Sequence, residues 1–188
     1  DIKDYQQQVR VVDVYGTALA LAADPNAVTV YTTAAGNVPK VRVKGVELDS
    51  VYTGIPHTQL RFAGAYNDAR YEEFPNSAQP VENGNLAAPF QDVSGQTLPG
   101  AAKWSFDIGA EYRLPVFDAK EFHASLNSSY GDRFNSDNAL SSYGWVGSNS
   151  ITDVSIGIGS RRRSWDFTLY VKNVLDDDTV RNRTWNAY

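Results

Sequence analysis

The sequence predicts an all-β fold, namely a segment of about seven antiparallel strands from a transmembrane β-barrel. The first observation is the segment from Trp104 to Leu114, in which apolar and polar side chains alternate with a strict period of two. This segment is longer than an ordinary strand, which has about 5 to 6 residues. It is long enough to cross a bilayer, which takes about 9 to 11 residues of a tilted strand. The second observation is that short and long connections alternate along the chain. Outer-membrane barrels have this arrangement, with short periplasmic turns and long extracellular loops.

Composition narrows the function classes. The chain has 188 residues, a mean hydropathy of -0.40 and 12% aromatic residues, and its apolar runs are far shorter than the about 18 residues of a membrane-spanning helix. The absence of Cys excludes disulfides, thiolate catalysis and cysteine zinc clusters. The net charge is -5 and the only basic run is Arg161–Arg163, so no nucleic-acid partner is expected. Because the sequence has no Met and no signal peptide, we expect it to begin within a longer protein.

The strands follow from the alternation, taken in chain order. We predict strands at 2–15, 40–53, 58–68, 104–114, 122–131, 151–159 and 164–174. The apolar alternation changes phase at Gly45, which predicts a β-bulge there. The predicted short turns are 53–57, 115–120 and 160–163, and the predicted long loops are 16–39, 69–103 and 132–150, with a polar segment from Leu175 to Tyr188. Seven strands leave two open edges, so we expect further strands on both sides to close the barrel.

One face of the predicted sheet is polar and is expected to line the lumen. If this face were turned to lipid, an Arg near the midplane would cost roughly 2 to 4 kcal/mol. Lipid on one side of the sheet and water on the other therefore fix the register of the strands. The predicted lumen-facing residues are Asp107, Glu111, Arg113, His123, Asn127, Asp166 and Lys172.

Three motifs resemble the TonB-dependent outer-membrane receptors. The segment Trp165–Thr179, WDFTLYVKNVLDDDT, resembles the penultimate-strand signature of that family, with Leu175 where an aromatic residue is usual. Val43–Leu48, VKGVEL, resembles a Gly-Val-Glu strand start, and Leu98–Tyr112, LPGAAKWSFDIGAEY, resembles the family's Pro-rich loop leading into a strand. The three motifs stand in the family's order and cover nearly the whole chain.

The resemblance implies more than the residues themselves show. It implies a 22-stranded barrel of a Gram-negative outer membrane, of which residues 1–188 form the C-terminal part, without the plug or the last strand. It implies uptake of a scarce nutrient of the siderophore–iron, cobalamin or carbohydrate class, with energy delivered by TonB. The implied partners are the plug domain of the same protein, the TonB complex, outer-membrane lipid and a surface lipoprotein. No enzymatic activity and no cofactor are implied.

Several residues carry a functional and a structural interpretation. The carboxylates of Asp176–Asp178 could bind Ca²⁺, but a solvated loop start explains them more simply. Arg161–Arg163 could meet lipid phosphate or a partner, and a solvated turn is again the simpler interpretation. His57 and His123 are isolated, so no metal site is expected. A barrel hydrolase would need His123 beside a serine such as Ser125 or Ser105 and an orienting carboxylate.

Loop aromatics are the candidate ligand contacts, because exposed rings above a lumen can stack on or enclose a ligand. The alternative is that they pack against each other or anchor the membrane interface. The candidates are Tyr31, Tyr71, Phe74, Phe90, Tyr143, Trp145 and Trp185.

The sequence therefore favours a receptor over two alternatives. One is a barrel with another task, either a passive porin or an outer-membrane hydrolase. The other is a soluble all-β carbohydrate-binding module of lectin or propeller type, which would require Phe106, Ile108, Phe167 and Leu169 to be buried against a second sheet.

Overall fold

A computed structural model describes residues 2–27, 30–83, 90–117 and 119–183. The strands are β1 (Ile2–Val12), β2 (Tyr31–Tyr52), β3 (Thr58–Glu73), β4 (Ser77–Ala78), β5 (Phe90–Gln91), β6 (Trp104–Val116), β7 (Lys120–Gly131), β8 (Phe134–Asn135), β9 (Trp145–Val146), β10 (Asn149–Ser160) and β11 (Asp166–Val171). The helices are α1 (Val14–Ala23) and two 3₁₀ turns, Val81–Asn83 and Ser142–Gly144.

Seven of these strands form one antiparallel sheet in the order β1-β2-β3-β6-β7-β10-β11. Each strand pairs with the next long strand of the chain, and the pairs β4–β5 and β8–β9 are small hairpins within long connections. The predicted all-β antiparallel fold is thus confirmed. The strand ends that the short connections join (β2–β3, β6–β7 and β10–β11) lie on one side of the sheet, called here the short-turn rim. The strand ends that the long connections join (β1–β2, β3–β6 and β7–β10) lie on the opposite side, called the long-loop rim.

The register gives the sheet one apolar and one polar face. One row of paired residues on the apolar face crosses six strands and consists of Tyr52, Leu60, Ala110, Leu126, Val154 and Val171. The neighbouring row on the polar face consists of Val51, Arg61, Gly109, Asn127 and Asp153. Because paired residues point to the same side of a sheet, the alternation seen in single strands adds up to two chemically distinct surfaces.

No protein layer within the described ranges packs against the apolar face. Phe167 is 62% exposed and Leu169 is 60% exposed, and contacts between elements in the described part of the chain join sheet neighbours or the small hairpins. Aromatic residues border this face at both ends. The ring centres of Tyr66 and Trp104 lie 4.6 Å apart in a tilted contact toward the long-loop rim, and Tyr112 and Phe122 are in edge contact toward the short-turn rim. Phe167 and Leu169 therefore lack the burial that a soluble module would require.

The hydrophobic core lies at the long-loop rim rather than in the middle of the sheet. It consists of Val38, Val41, Ala69, Tyr71, Phe74, Val93 and Leu98. The connection between β3 and β6 supplies the last three of these residues. It is held along β3 by backbone bonds from Leu98 N to Ala69 O and from Tyr71 N to Gln96 O, both 3.0 Å.

The predicted bulge at Gly45 is wrong. The pairing of β2 with β3 continues without a shift from Val41 to Tyr52, and the irregularity lies between Lys40 and Val41. The apolar set changes face at Gly45 because its surroundings change. On the short-turn side of Gly45, Val46 lies on the exposed apolar face, whereas on the long-loop side Val41 lies on the other face and is buried in the core.

The connection between the first two strands also differs from the prediction. β1 ends at Val12, and α1 begins within what the sequence suggested was strand and loop; Asp13 caps it by accepting a hydrogen bond from Gly16 N at 2.8 Å. β2 begins at Tyr31 rather than at 40. Pro39 is accommodated because the β1–β2 pairing is interrupted opposite it, at Asp4, whose φ is 54°.

No helix in the described ranges is long and apolar enough to span a membrane.

Candidate functional site

The polar face carries a charged network near the short-turn rim. Arg113 on β6 donates from Nη1 to Glu121 Oε1 at 3.0 Å and from Nη2 to Glu111 Oε1 at 2.5 Å. Arg113 and His123 are directly paired across β6 and β7. One guanidinium therefore bridges carboxylates on two neighbouring strands and fixes the position of both.

His123 reaches across a strand to a carboxylate. Its Nε2 lies 2.9 Å from Asp166 Oδ2 on β11, although β10 runs between the two strands. Gly157 of β10 pairs with His123, and a Cβ at this position would lie 2.4 Å from the imidazole. The glycine thus leaves the space that the ring occupies.

The hydrolase alternative requires a serine at this imidazole, and no serine in the described part of the chain is hydrogen-bonded to it. The Ser125 hydroxyl lies 2.7 Å from the Ser155 hydroxyl, whereas the carboxylate of Asp166 contacts the His123 ring. His57 belongs to the short-turn rim and makes an edge contact with Tyr112 at 6.5 Å between ring centres.

A shallow depression of about 410 Å³ lies on the polar face between β2, β3, β6, β7 and β10. Its charged and amide lining consists of Asp49, Arg61, Asp107, Asn127 and Asp153. The Arg61 side chain crosses the sheet above Gly109, where a Cβ would lie 3.2 Å from Nε. Three carboxylates and one guanidinium thus line the depression, so its lining is net negative.

The structure brings the predicted lumen-facing residues onto one face. Asp107, Glu111 and Arg113 are on β6, His123 and Asn127 are on β7 and Asp166 begins β11, all at positions of the polar face. Lys172 lies one residue beyond β11 and is exposed. Asp49, Arg61 and Asp153 share this face, as the period of two in β2, β3 and β10 predicts.

A second concavity, called here the rim cleft, lies between the long loops at 91–103 and 132–145 and has a volume of about 550 Å³. Its functional groups include Trp145, Arg133, Lys103, Asp132 and Gln96. The Arg133 guanidinium lies 5.2 Å from the centre of the Trp145 ring, a cation–π arrangement that orients both side chains.

The carboxylate of Glu82, in the connection between β3 and β6, is hydrogen-bonded to the loop at 132–145. It accepts from Ser142 N at 2.7 Å and from the Ser142 hydroxyl at 3.0 Å, and the Ser141 hydroxyl lies 2.9 Å from both carboxylate oxygens. Burial opposes ionisation, but backbone and hydroxyl hydrogen bonds from Glu82, Ser142 and Ser141 hold the pKa of Glu82 below its usual value.

The candidate ligand aromatics divide into two groups. Tyr71 and Phe74 are buried in the core, with the Tyr71 hydroxyl donating to Gln7 Oε1 at 2.6 Å, and burial raises the pKa of Tyr71 to about 12. Self-packing therefore describes these two rings, which have no face open to a ligand. Phe90, Tyr143 and Trp145 are exposed at the long-loop rim. The Tyr31 side chain and the whole of Trp185 lie outside the described residues.

The Asp-rich segment after β11 is a closed turn. Asp177 Oδ1 accepts from Thr179 N at 2.8 Å, and the other oxygen accepts from Ser150 N. Asn173 exchanges two side-chain bonds with the Asp177 backbone, at 3.0 and 3.1 Å. Hydrogen bonds from Thr179 and Ser150 lower the pKa of Asp177. Within the described ranges, no group of three His, Asp or Glu residues could hold a metal ion.

Comparison with known proteins gives one match. The family model described as TonB dependent receptor-like, beta-barrel, matches residues 1–174. No curated protein and no solved structure matches the chain. The matched family consists of outer-membrane receptors and transporters of Gram-negative bacteria and is generally not enzymatic. With an antiparallel sheet of two chemically distinct faces and a family match over most of its length, the chain belongs to the TonB-dependent receptor β-barrel family.

Proposed function

We propose that this chain is the C-terminal part of the barrel of an outer-membrane receptor that imports a scarce nutrient by TonB-coupled active transport. The nutrient belongs to the siderophore–iron, cobalamin or carbohydrate class. The observation that carries the proposal is the exposed apolar face of the sheet, backed by a continuous polar face, in a member of this family.

The dimensions of the apolar face support a membrane position. At about 3.3 Å per residue and a tilt of about 40°, the chain rises about 25 Å from Trp104 to Leu114, which is the height of the apolar band on outer-membrane barrels. Tyr66 and Trp104 at one border and Tyr112 and Phe122 at the other correspond to the two interfacial girdles. The long-loop rim then faces the outside of the cell and the short-turn rim faces the periplasm.

The unpaired edges of the sheet support a larger barrel. Within the described residues, β11 pairs only with β10, and β2 has no partner on the β1 side from Arg42 to Tyr52. Such edges cannot remain open in lipid, so further strands complete the wall. The negative polar face lines the lumen against the plug of the same protein, through which the TonB complex acts.

The rim cleft is the proposed entry site for the ligand. Trp145 and Arg133 line it, and Tyr143 and Phe90 each adjoin a lining residue in sequence. An exposed ring beside donors and acceptors of both charges can stack on a ligand while neighbouring groups bond its polar atoms.

The test measures uptake by the full-length receptor in Gram-negative cells. The probes are iron-55 loaded siderophores, cobalt-57 labelled cobalamin and a fluorescent maltooligosaccharide. We expect one probe to accumulate against its gradient and a protonophore to abolish this accumulation. Trp145→Ala should lower apparent affinity about tenfold, because stacking on an aromatic ring contributes about 1 kcal/mol or more.

Trp165→Ala is the matched control, since Trp165 is exposed at the opposite rim and should leave affinity unchanged. Accumulation that only equilibrates across the membrane and ignores the protonophore would identify a passive porin instead. Equal losses in both variants would remove the rim cleft from the uptake route.

A further inference from the structure

We propose that the short-turn rim between β7 and β11 is a binding site for the phosphate headgroup of an anionic phospholipid, formed by Arg161, Arg162, Arg163 and Lys120. The proposal rests on the membrane orientation proposed above, which places this rim at the periplasmic leaflet.

The site begins where the apolar face ends. Phe122, Ile158 and Phe167 form one row of paired residues across three strands on that face. In the next row toward the rim, Lys120 pairs with Ser160, and Ser160 N donates to Trp165 O at 2.9 Å. The surface therefore changes within one row from three apolar side chains to an ammonium, a hydroxyl and an indole. That change is expected at the depth of lipid headgroups.

The turn beyond this row is ordered, and it presents three guanidinium groups. Arg163 N donates to Ser160 O at 2.8 Å, and Arg162 N donates to the Ser160 hydroxyl at 3.3 Å. Arg161 N donates to Ala119 O at 2.9 Å, which ties this turn to the turn that carries Lys120. The cations of two turns are thus held beside each other by backbone contacts.

No acidic residue in the described ranges neutralises these cations by an ion pair. None of the four forms an ion pair with any residue in the described ranges, and all four are exposed. The Lys120 ammonium lies 5.8 Å from the centre of the Phe117 ring, and Phe117 is itself 81% exposed. The nearest acids of the polar face, Glu121 and Asp166, are engaged by Arg113 and His123.

Charge and geometry together select the ligand. The two turns carry four cations and one acid, Asp118, in the sequence, while the chain as a whole has a net charge of -5. A phosphate that sits at the border of an apolar band offers several acceptors to guanidinium forks, and its acyl chains continue along Phe122, Ile158 and Phe167. Exposed rings at Phe117 and Trp165 suit the same interfacial depth.

The test counts lipids retained by the full-length receptor. Receptor purified in detergent is mixed with equal amounts of phosphatidylglycerol and phosphatidylcholine, and retained lipids are counted by native mass spectrometry. We expect the wild type to prefer phosphatidylglycerol and Arg161→Gln/Arg162→Gln/Arg163→Gln to lose at least about tenfold of that preference, since one cation near an anionic surface is worth about fivefold in binding. Adding Lys120→Gln should deepen the loss.

The matched control is Lys3→Gln/Arg181→Gln/Arg183→Gln, which removes the same charge away from the short-turn rim. It should retain phosphatidylglycerol like the wild type, and both triple variants should keep heat-modifiable gel migration and uptake, so this test can fail while the proposed transport stands. Equal losses in the two variants, or displacement by 10 mM inorganic phosphate at constant ionic strength, would overturn the lipid site. Unchanged retention in the arginine variant would also overturn it and would leave the cations to an acidic periplasmic protein.

Discussion

At the residue scale, single polar groups hold the long-loop rim together. Glu82 is the clearest case, because its carboxylate accepts hydrogen bonds from a loop about sixty residues further along the chain. The carboxylate takes a backbone N–H and two hydroxyls, and hydrogen bonds to a charged acceptor are stronger than neutral ones. The shape of the rim cleft therefore depends on the charge of one exposed acid.

Glu82→Gln should loosen this junction. The neutral amide keeps one acceptor but loses the charge, which weakens the contact by about 1 kcal/mol, so the Ser142 amide should exchange hydrogen about fivefold faster. Hydrogen exchange monitored by mass spectrometry on the full-length receptor measures this. Glu73→Gln, an exposed change on β3, serves as the control, and equal exchange in both variants would contradict the role of Glu82.

The same contact predicts a pH dependence with a defined sign. The folded-state pKa of Glu82 lies below the usual 4.5, so its contribution is complete above about pH 4.5 and is lost as the pH falls below that value. Protection of the Ser142 amide should fall over this acidic range in the wild type and stay flat in Glu82→Gln. A flat wild-type profile would show that ionised Glu82 does not hold the loop.

At the element scale, each strand is two surfaces, and its environment can change along its length. β2 is the best example. Val46, Leu48 and Tyr52 lie on the exposed apolar face, whereas Val41 lies on the opposite face in the core. The pairing of β2 with β3 is nevertheless continuous across Gly45. Gly45 is explained by close packing of backbones, since a Cβ there would lie 2.5 Å from Tyr66 O.

A matched pair of substitutions on β11 tests the two surfaces. Leu169 and Tyr170 are adjacent, both are exposed, and they lie on the apolar and polar faces respectively. Leu169→Arg should lower the free energy of unfolding in phospholipid vesicles by about 2 kcal/mol, because it places a charge in lipid. Tyr170→Arg should change it by well under 1 kcal/mol. Similar costs for the two variants would contradict the assignment of faces.

The sequence allows the strands and faces to be predicted where one solvent contacts each face along the whole strand. The end of β6 is predicted within two residues, because apolar and polar side chains alternate along nearly the whole strand. The first nine residues of β2 are not, because Gly36, Asn37 and Pro39 suggest a turn locally, and only pairing with β1 stabilises them as strand. α1 is missed because its exposed apolar residues follow no single face.

Only part of the candidate site could be predicted from the sequence. The polar-face residues from Asp107 to Asp166 follow from alternation alone. The rim cleft does not, because Trp145 and Arg133 meet only when two long loops fold over each other, and loop contacts carry no periodic signal. Tyr71 and Phe74 illustrate the converse, since aromatic residues in a loop sequence do not reveal whether a local core will bury them.

At the scale of the whole molecule, the proposed role of each surface depends on whether lipid or water touches it. Among the residues that the structure describes, the hydrophobic core lies at one rim and a broad apolar face is left uncovered. A membrane explains this arrangement and bulk water does not. The family match over residues 1–174 agrees with this division. The lumen, the lipid-facing wall, the rim cleft and the basic turns all take their proposed roles from it.

Spin-label accessibility along β11 tests this claim most directly. This chain contains no Cys. Once any Cys elsewhere in the full-length receptor has been replaced by Ser, single cysteines are placed at Phe167, Thr168, Leu169, Tyr170 and Val171, and the receptor is studied in lipid bilayers. We predict that labels at 167, 169 and 171 are accessible to oxygen, which concentrates in lipid, and that labels at 168 and 170 are not. Uniform accessibility along the strand, or a reversed alternation with 168 and 170 in contact with lipid, would contradict it.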